Sequence, residues 1–134
     1  MYKATAEVAF DAAHFLHEHK GKCRNIHGHR WRVCATVSCA ELRDGMVADF
    51  SDIKRILREE TERFDHALVY LKGTLKSEAA LSDEGFLLCP TDFSPTAENF
   101  AFHFFSVLKK QGLPVREVTV YETPGNCAAY SEEE

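Results

Sequence analysis

The stretch from Trp31 to Cys39 constrains the fold more than any other part of the chain. Trp31, Val33, Ala35, Val37 and Cys39 alternate with Arg32, Cys34, Thr36 and Ser38. A period of two belongs to an extended strand with one packed face and one wetter face, and such alternation favours an antiparallel sheet. Tyr2 to Phe10, rich in β-formers, reads as a strand before it and Val115 to Glu122 as a strong strand after it. Tyr130 falls in a short last strand beyond the turn Pro124-Gly125-Asn126.

Two helices lie between these strands. One begins near Ser51, read as its cap, and sets Ile53, Ile56, Leu57 and Phe64 at helical spacing. The other opens at Ser94-Pro95-Thr96, with Ser94 as cap and Pro95 in the first turn. It carries Phe100, Ala101, Phe104, Val107 and Leu108 on one side and stops at Gly112. The stretch from Leu71 to Phe93 carries the least pattern, with a short strand at Phe86 to Cys89. Ser131 to Glu134 is an acidic end expected to be frayed. The order of elements predicts an α+β fold: one domain over residues 1–134, a small antiparallel sheet with two helices on one face. Bare sheet edges predict that subunits associate to close it.

A formal net charge of −5 argues against broad binding to nucleic acid, which needs a clustered basic footprint. No segment reaches transmembrane length and the N-terminus lacks the apolar core of a signal peptide, so a cytoplasmic protein without membrane partners is expected. Five cysteines without a framework of spacings fit reduced thiols better than disulfides.

The chemistry concentrates in Cys23-Arg-Asn-Ile-His27-Gly-His29. Residues two apart in extended backbone point the same way, so His27 and His29 can present both imidazoles on one side, with Gly28 leaving the approach clear. His14 follows the first strand and is the natural third ligand if the two strands pair as a hairpin. Three imidazoles with a fourth position open is the arrangement of catalytic zinc. Histidines in loops are more often solvated than ligating, and His17 and His19, set among charges, read that way. Cys23 has two readings: a fourth ligand closing a structural site, or a thiolate base whose pKa is lowered by nearby cations. Asp65-His66 offers an imidazole beside a carboxylate for proton transfer, or a favourable helix end. Glu122 shares a face with Val118 and Val120. There a carboxylate is costly unless it meets donors, such as the two N–H groups on the amino-pyrimidine edge of a pterin, or sits at a rim.

Six segments, in order, resemble the 6-pyruvoyl-tetrahydropterin synthase and 6-carboxytetrahydropterin synthase family. They are Phe10-Asp-Ala-Ala-His14, Cys23-x-x-x-His27-Gly-His29, Val47-Ala-Asp49-Phe50, Phe64-Asp65-His66, Ser94-Pro95-Thr96-Ala-Glu98-Asn99 and Tyr121-Glu122-Thr123. The resemblance implies that His14, His27 and His29 hold zinc and that Cys23 is the general base. It makes Asp65 and His66 the second proton-transfer pair, Glu122 the pterin anchor, and Thr96 and Glu98 substrate-facing. It also implies a tunnelling fold whose sheets join into a barrel, as a homohexamer of two trimers with sites between subunits. Three residues between Cys23 and His27 resemble the carboxy-forming branch. That implies conversion of 7,8-dihydroneopterin triphosphate to 6-carboxy-5,6,7,8-tetrahydropterin, on the route to queuosine. Pyruvoyl formation or another pterin side-chain cleavage is the near alternative, and a non-catalytic zinc-stabilised binding module the distant one. Lys72 to Phe93 is longer than the family pattern and stands without an assigned role.

Overall fold

The computed structural model describes residues 1–133. Its elements follow in order as β1 (Tyr2–His14), β2 (His27–Cys39), α1 (Phe50–Thr61), β3 (Leu68–Leu71), α2 (Glu78–Asp83), β4 (Leu88–Thr91), α3 (Ala97–Lys110), β5 (Val115–Thr123) and β6 (Asn126–Ser131). A single 3₁₀ turn at Lys22–Arg24 sits between β1 and β2. The α+β class expected from the sequence is the class observed.

One sheet runs β4-β3-β1-β2-β5-β6. Its centre is the predicted antiparallel ribbon: β1 pairs with β2, β2 with β5 and β5 with β6. The sheet is wider than the sequence pattern indicates, because β3 pairs parallel with β1 and β4 parallel with β3. β1 also continues past Phe10 to His14, which carries the extended backbone up to the histidine. Pro90 lies in β4, an outermost strand, where a missing N–H breaks no ladder.

The packed face is the one the alternation implies. Trp31, Val33, Ala35 and Val37 are fully buried, as are Val118 and Val120 across the ladder. Against them α1 lays Ile53, Ile56 and Leu57, and α3 lays Phe100, Ala101, Phe104 and Leu108. Phe100 is the hub of this layer. Its ring lies 4.9 Å from Trp31, 5.3 Å from Phe64 and 5.7 Å from Phe93, each edge-on. His103 on α3 reaches Glu60 on α1 at 2.6 Å and ties the two helices outside the apolar layer.

Helix starts differ in detail from the sequence reading. Asp49, not Ser51, caps α1, accepting from the Ser51 N–H at 2.8 Å. Thr96, not Ser94, caps α3, accepting from the Asn99 N–H at 3.1 Å. In both cases a side chain two or three residues upstream of the orphan N–H does the capping. The acidic end is ordered through Glu132, whose carboxylate accepts from Lys109 Nζ at 2.6 Å and from the Tyr130 hydroxyl at 2.8 Å. Glu134 lies outside the described residues.

Replacing Phe100 with Ala removes the ring at the centre of this cluster and is expected to cost about 3–5 kcal/mol of stability in urea unfolding. Phe50→Ala, at a side chain that is 55% exposed, is expected to shift stability by about 0.5 kcal/mol or less.

Candidate metal and catalytic site

The register of β1 and β2 sets His14 directly opposite His27. His29, two residues on, points to the same face, and the three imidazoles converge at one end of the ribbon. Their ring centroids are 4.5 Å (His14–His27), 5.2 Å (His14–His29) and 4.9 Å (His27–His29) apart. Trp31 forms the floor, edge-on to His14 at 5.0 Å and to His29 at 5.5 Å. Its indole N–H donates to the Ala12 carbonyl at 3.2 Å. Gly28 faces the other way, 3.7 Å being the distance an added Cβ would have to the Ala12 carbonyl.

Two backbone carbonyls orient the rings. His14 Nδ1–H donates to Pro95 O at 2.7 Å, and His27 Nδ1–H donates to Asn25 O at 2.6 Å. A carbonyl only accepts, so in the neutral ring each bond places the proton on Nδ1 and leaves a lone pair on Nε2. The two Nε2 atoms nevertheless stand 3.0 Å apart. Glu122 brings a carboxylate oxygen to the same place, 3.3 Å from His14 Nε2 and 2.9 Å from His29 Nε2. His29 Nε2 is buried, and its approach to the carboxylate lacks the alignment of a hydrogen bond. Burial is the main cause that lowers the pKa of His14 and of His29 and so favours their neutral, ligating forms.

Lone pairs and a carboxylate crowded together form a donor set suited to a cation. The four ligand atoms of His14, His27, His29 and Glu122 all lie within 4.8 Å of one another. Ligands held at ~2.0 Å around a tetrahedral zinc ion would be ~3.3 Å apart. Three of the six separations, 3.0, 3.3 and 2.9 Å, are near that spacing and the rest lie within 4.8 Å, so the donor types fit zinc, and the carbonyl bonds to the outer ring nitrogens are the usual support of such ligands.

The other sequence-marked residues are placed as follows. Cys23 lies half-buried in the 3₁₀ turn and is not among the clustered side chains, whose fourth member is Glu122. Its carbonyl accepts from the Leu16 N–H at 2.9 Å, linking the turn to the end of β1. Thr96 caps α3, and Glu98 is exposed in the first turn of that helix. His17 is paired with Glu18, and His19 accepts from the Gly21 N–H, a surface-loop arrangement.

Asp65 and His66 sit beside the edge of β1. Asp65 Oδ1 accepts from the Asp11 N–H at 2.9 Å, and Asp65 Oδ2 accepts from His66 Nδ1–H at 2.9 Å. The His66 N–H donates to the Asp11 carbonyl at 2.6 Å, holding this residue at φ +61°. The Asp11 N–H and then His66 hold the Asp65 carboxyl below its usual range, while the Asp65 bond raises the pKa of His66. His66 opens onto a cavity of about 630 Å³. Asp11, Ala13, Gly28 and Arg30, which by strand alternation face away from the helices, line it together with His29, Leu81, Phe86 and Leu87. The segment of unassigned role therefore supplies one wall of this cavity. The cavity and the pair lie chiefly on the sheet face opposite the imidazole cluster.

Sequence reasoning singled out Glu122 by its apolar face but not its place beside the histidines. It also missed the carbonyls of Pro95 and Asn25, which carry no side-chain signal.

A family model described as 6-pyruvoyl tetrahydropterin synthase matches residues 3–133. The 6-carboxy-5,6,7,8-tetrahydropterin synthase of Haemophilus influenzae is 33% identical, covering 98% of this chain and 100% of its own. A putative enzyme of the same name from Archaeoglobus fulgidus is 37% identical over 90% of this chain and 88% of its own. Among solved structures, the 6-pyruvoyl tetrahydropterin synthase of Caenorhabditis elegans superposes with a TM-score of 0.71 at 26% identity, covering 98% and 96% of the two chains. An uncharacterised protein of Wolinella succinogenes shares the fold with a TM-score of 0.79 at 20% identity, covering 98% of each. The chain belongs to the 6-pyruvoyl tetrahydropterin synthase family. It is an enzyme of that family, a pterin side-chain lyase. No helix among the described residues is long and apolar enough to cross a membrane.

The Asp65–His66 bond predicts a measurable coupling. In Asp65→Asn the His66 titration midpoint should fall towards its ordinary value, read from the imidazole signals in NMR. An unchanged midpoint would mean that the carboxylate does not sustain the imidazolium.

Proposed function

We propose that the protein converts 7,8-dihydroneopterin triphosphate to 6-carboxy-5,6,7,8-tetrahydropterin, releasing acetaldehyde and triphosphate, with zinc held by His14, His27 and His29. The observation that carries this reading is the convergence of inward-facing Nε2 atoms whose tautomers are set by the Pro95 and Asn25 carbonyls. The names of the curated relatives support the carboxy-forming outcome over the pyruvoyl one. Supply of 7-deazaguanine nucleosides such as queuosine is the corresponding pathway, and the cytoplasm the corresponding compartment.

Bound zinc supplies Lewis acidity that eases loss of a proton from a side-chain hydroxyl. The remaining work falls to the chain. Cys23 is the base that takes a proton from the substrate side chain, and it lies outside the clustered ligand set. Asp65 holds His66 by Nδ1, leaving Nε2 free to exchange a proton with the side chain from the other side. Glu122 receives the amino-pyrimidine N–H groups of the ring, and Thr96 and Glu98 line the approach at the start of α3. Loss of triphosphate needs no attacking water, whereas breaking the bond between the first and second side-chain carbons consumes one water, whose oxygen enters the carboxyl group as the other two carbons leave as acetaldehyde.

The edges of the sheet bear on assembly. β4 and β6 are its outermost strands, which supports closure by other copies and a site completed between them, the metal of one chain meeting the Asp65–His66 pair of another. A homohexamer of two trimers, its sheets joined into a barrel, would place them so, with residues 1–134 as one domain.

The test is incubation of the zinc-loaded protein with 7,8-dihydroneopterin triphosphate, followed by identification of pterin and carbonyl products. Acetaldehyde with the carboxy pterin is expected; a pyruvoyl product retaining all three side-chain carbons would replace this reading with its near alternative. Cys23→Ala and His66→Ala are each expected to lose turnover while retaining zinc. Subunit exchange between the two should restore part of the activity, since one mixed interface then carries both intact groups.

A further inference from the structure

Glu122, the residue the family resemblance makes the pterin anchor, stands against the imidazole cluster. Its Oε1 lies 2.9 Å from His29 Nε2 and 3.3 Å from His14 Nε2, within the same 4.8 Å set as the three imidazole nitrogens. It is half-buried and the pair of histidines beside it is largely buried, with side-chain exposures of 28%, 18% and 2% for Glu122, His29 and His14. No other donor among the described residues joins this set. A carboxylate in such surroundings is costly unless a positive charge meets it, and an aligned hydrogen bond from His29 is lacking.

We infer that Glu122 is the fourth ligand of the metal in the substrate-free enzyme and leaves it to bind the incoming pterin ring. This rests on the zinc reading above. The exchange is neutral in charge and electrons: a carboxylate oxygen departs from the ion and accepts N–H groups of the ring, while the vacated position becomes free for a side-chain oxygen of the substrate. One residue then links ring recognition to opening of the metal. A closed four-ligand site resists adventitious ligands, and only a molecule with the right N–H edge opens it. β5 makes the movement local. Thr123 pairs with Asn126 and Tyr121 with Cys127, and the ladder register shifts between Tyr121 and Thr123. Glu122 therefore sits at an irregularity, free of the strict strand alternation on either side.

Cobalt(II) substituted for zinc reports coordination directly through its d–d absorption. Wild-type protein is expected to show the intense bands of four-coordination. In Glu122→Gln the bands should move, and the metal dissociation constant should rise about tenfold or more, the scale on which even supporting residues act. The decisive probe is a reduced pterin that lacks the side chain at C6, which can engage Glu122 but offers the metal no side-chain oxygen. Its binding should change the wild-type cobalt spectrum and leave that of Glu122→Gln unmoved. Fluorescence of the pterin checks occupancy, and unfolding of the metal-free variant checks its fold.

Identical spectra and metal affinities in wild type and Glu122→Gln would overturn the inference. So would a wild-type spectrum unmoved by bound pterin, a measurement that stands even if the variant fails to fold. Failure of the pterin to bind would remove the exchange as well. If the wild type takes up no cobalt at the histidines, the zinc reading itself falls, an outcome distinct from a bound metal indifferent to Glu122.

Discussion

The pairing of His14 with His27 across the β1–β2 ribbon is the constraint from which the site follows. Side chains alternate faces along a strand, so a slip of one residue in register would turn one of these imidazoles to the opposite side. The register is held far from the histidines by Phe10, Val8 and Ala6 facing Trp31, Val33 and Ala35. Burial of that apolar face thus positions polar groups which could not hold one another in place. The cluster is built at the last turn of the alternation, where the core ends and the aromatic floor of Trp31 begins.

The helical layer contributes through its backbone. Thr96 caps α3, which leaves the carbonyl of the preceding Pro95 outside the helix and directed at His14. A proline there has no N–H to satisfy, and its carbonyl accepts from a ring that is 1% exposed. The cap and the metal ligand are therefore parts of one structure: whatever displaces the start of α3 also frees the outer nitrogen of His14. Thr96, marked in the sequence as substrate-facing, has this capping bond as its visible contact.

What could be read in advance follows from the range of the interactions. The ribbon and its histidines were legible because strand alternation and His-x-His spacing share the same period, so local pattern and site geometry coincide. α1 and α3 announced themselves by apolar spacing, and their caps were misplaced by two residues because several adjacent side chains are able to accept. β3 was not legible: Leu68-Val69-Tyr70-Leu71 is a short apolar run without alternation, and its parallel pairing depends on β1, more than fifty residues upstream. β4 was read two residues early, as Phe86 to Cys89, because Pro90 interrupts its four-residue pattern. Glu122 was legible as an anomaly on an apolar face, while its company was not, since the register shift beside it belongs to the β5–β6 pairing and not to any sequence spacing.

These placements would let a bound metal add to the stability of the fold. Without a cation, the cluster sets two ring nitrogens with lone pairs facing each other 3.0 Å apart beside a carboxylate, an arrangement that opposes folding at the end of the sheet. A cation bound there would draw the same atoms to a common centre, and its binding free energy would help hold β1, β2 and β5 together. The apolar core under Trp31 and Phe100 is extensive enough to set the strands without that help, which distinguishes this chain from small domains that fold only around their metal. The core therefore fixes where the clustered side chains stand, and a bound ion would relieve their repulsion. On the exchange proposed above, that division would let Glu122 move without unfolding the site.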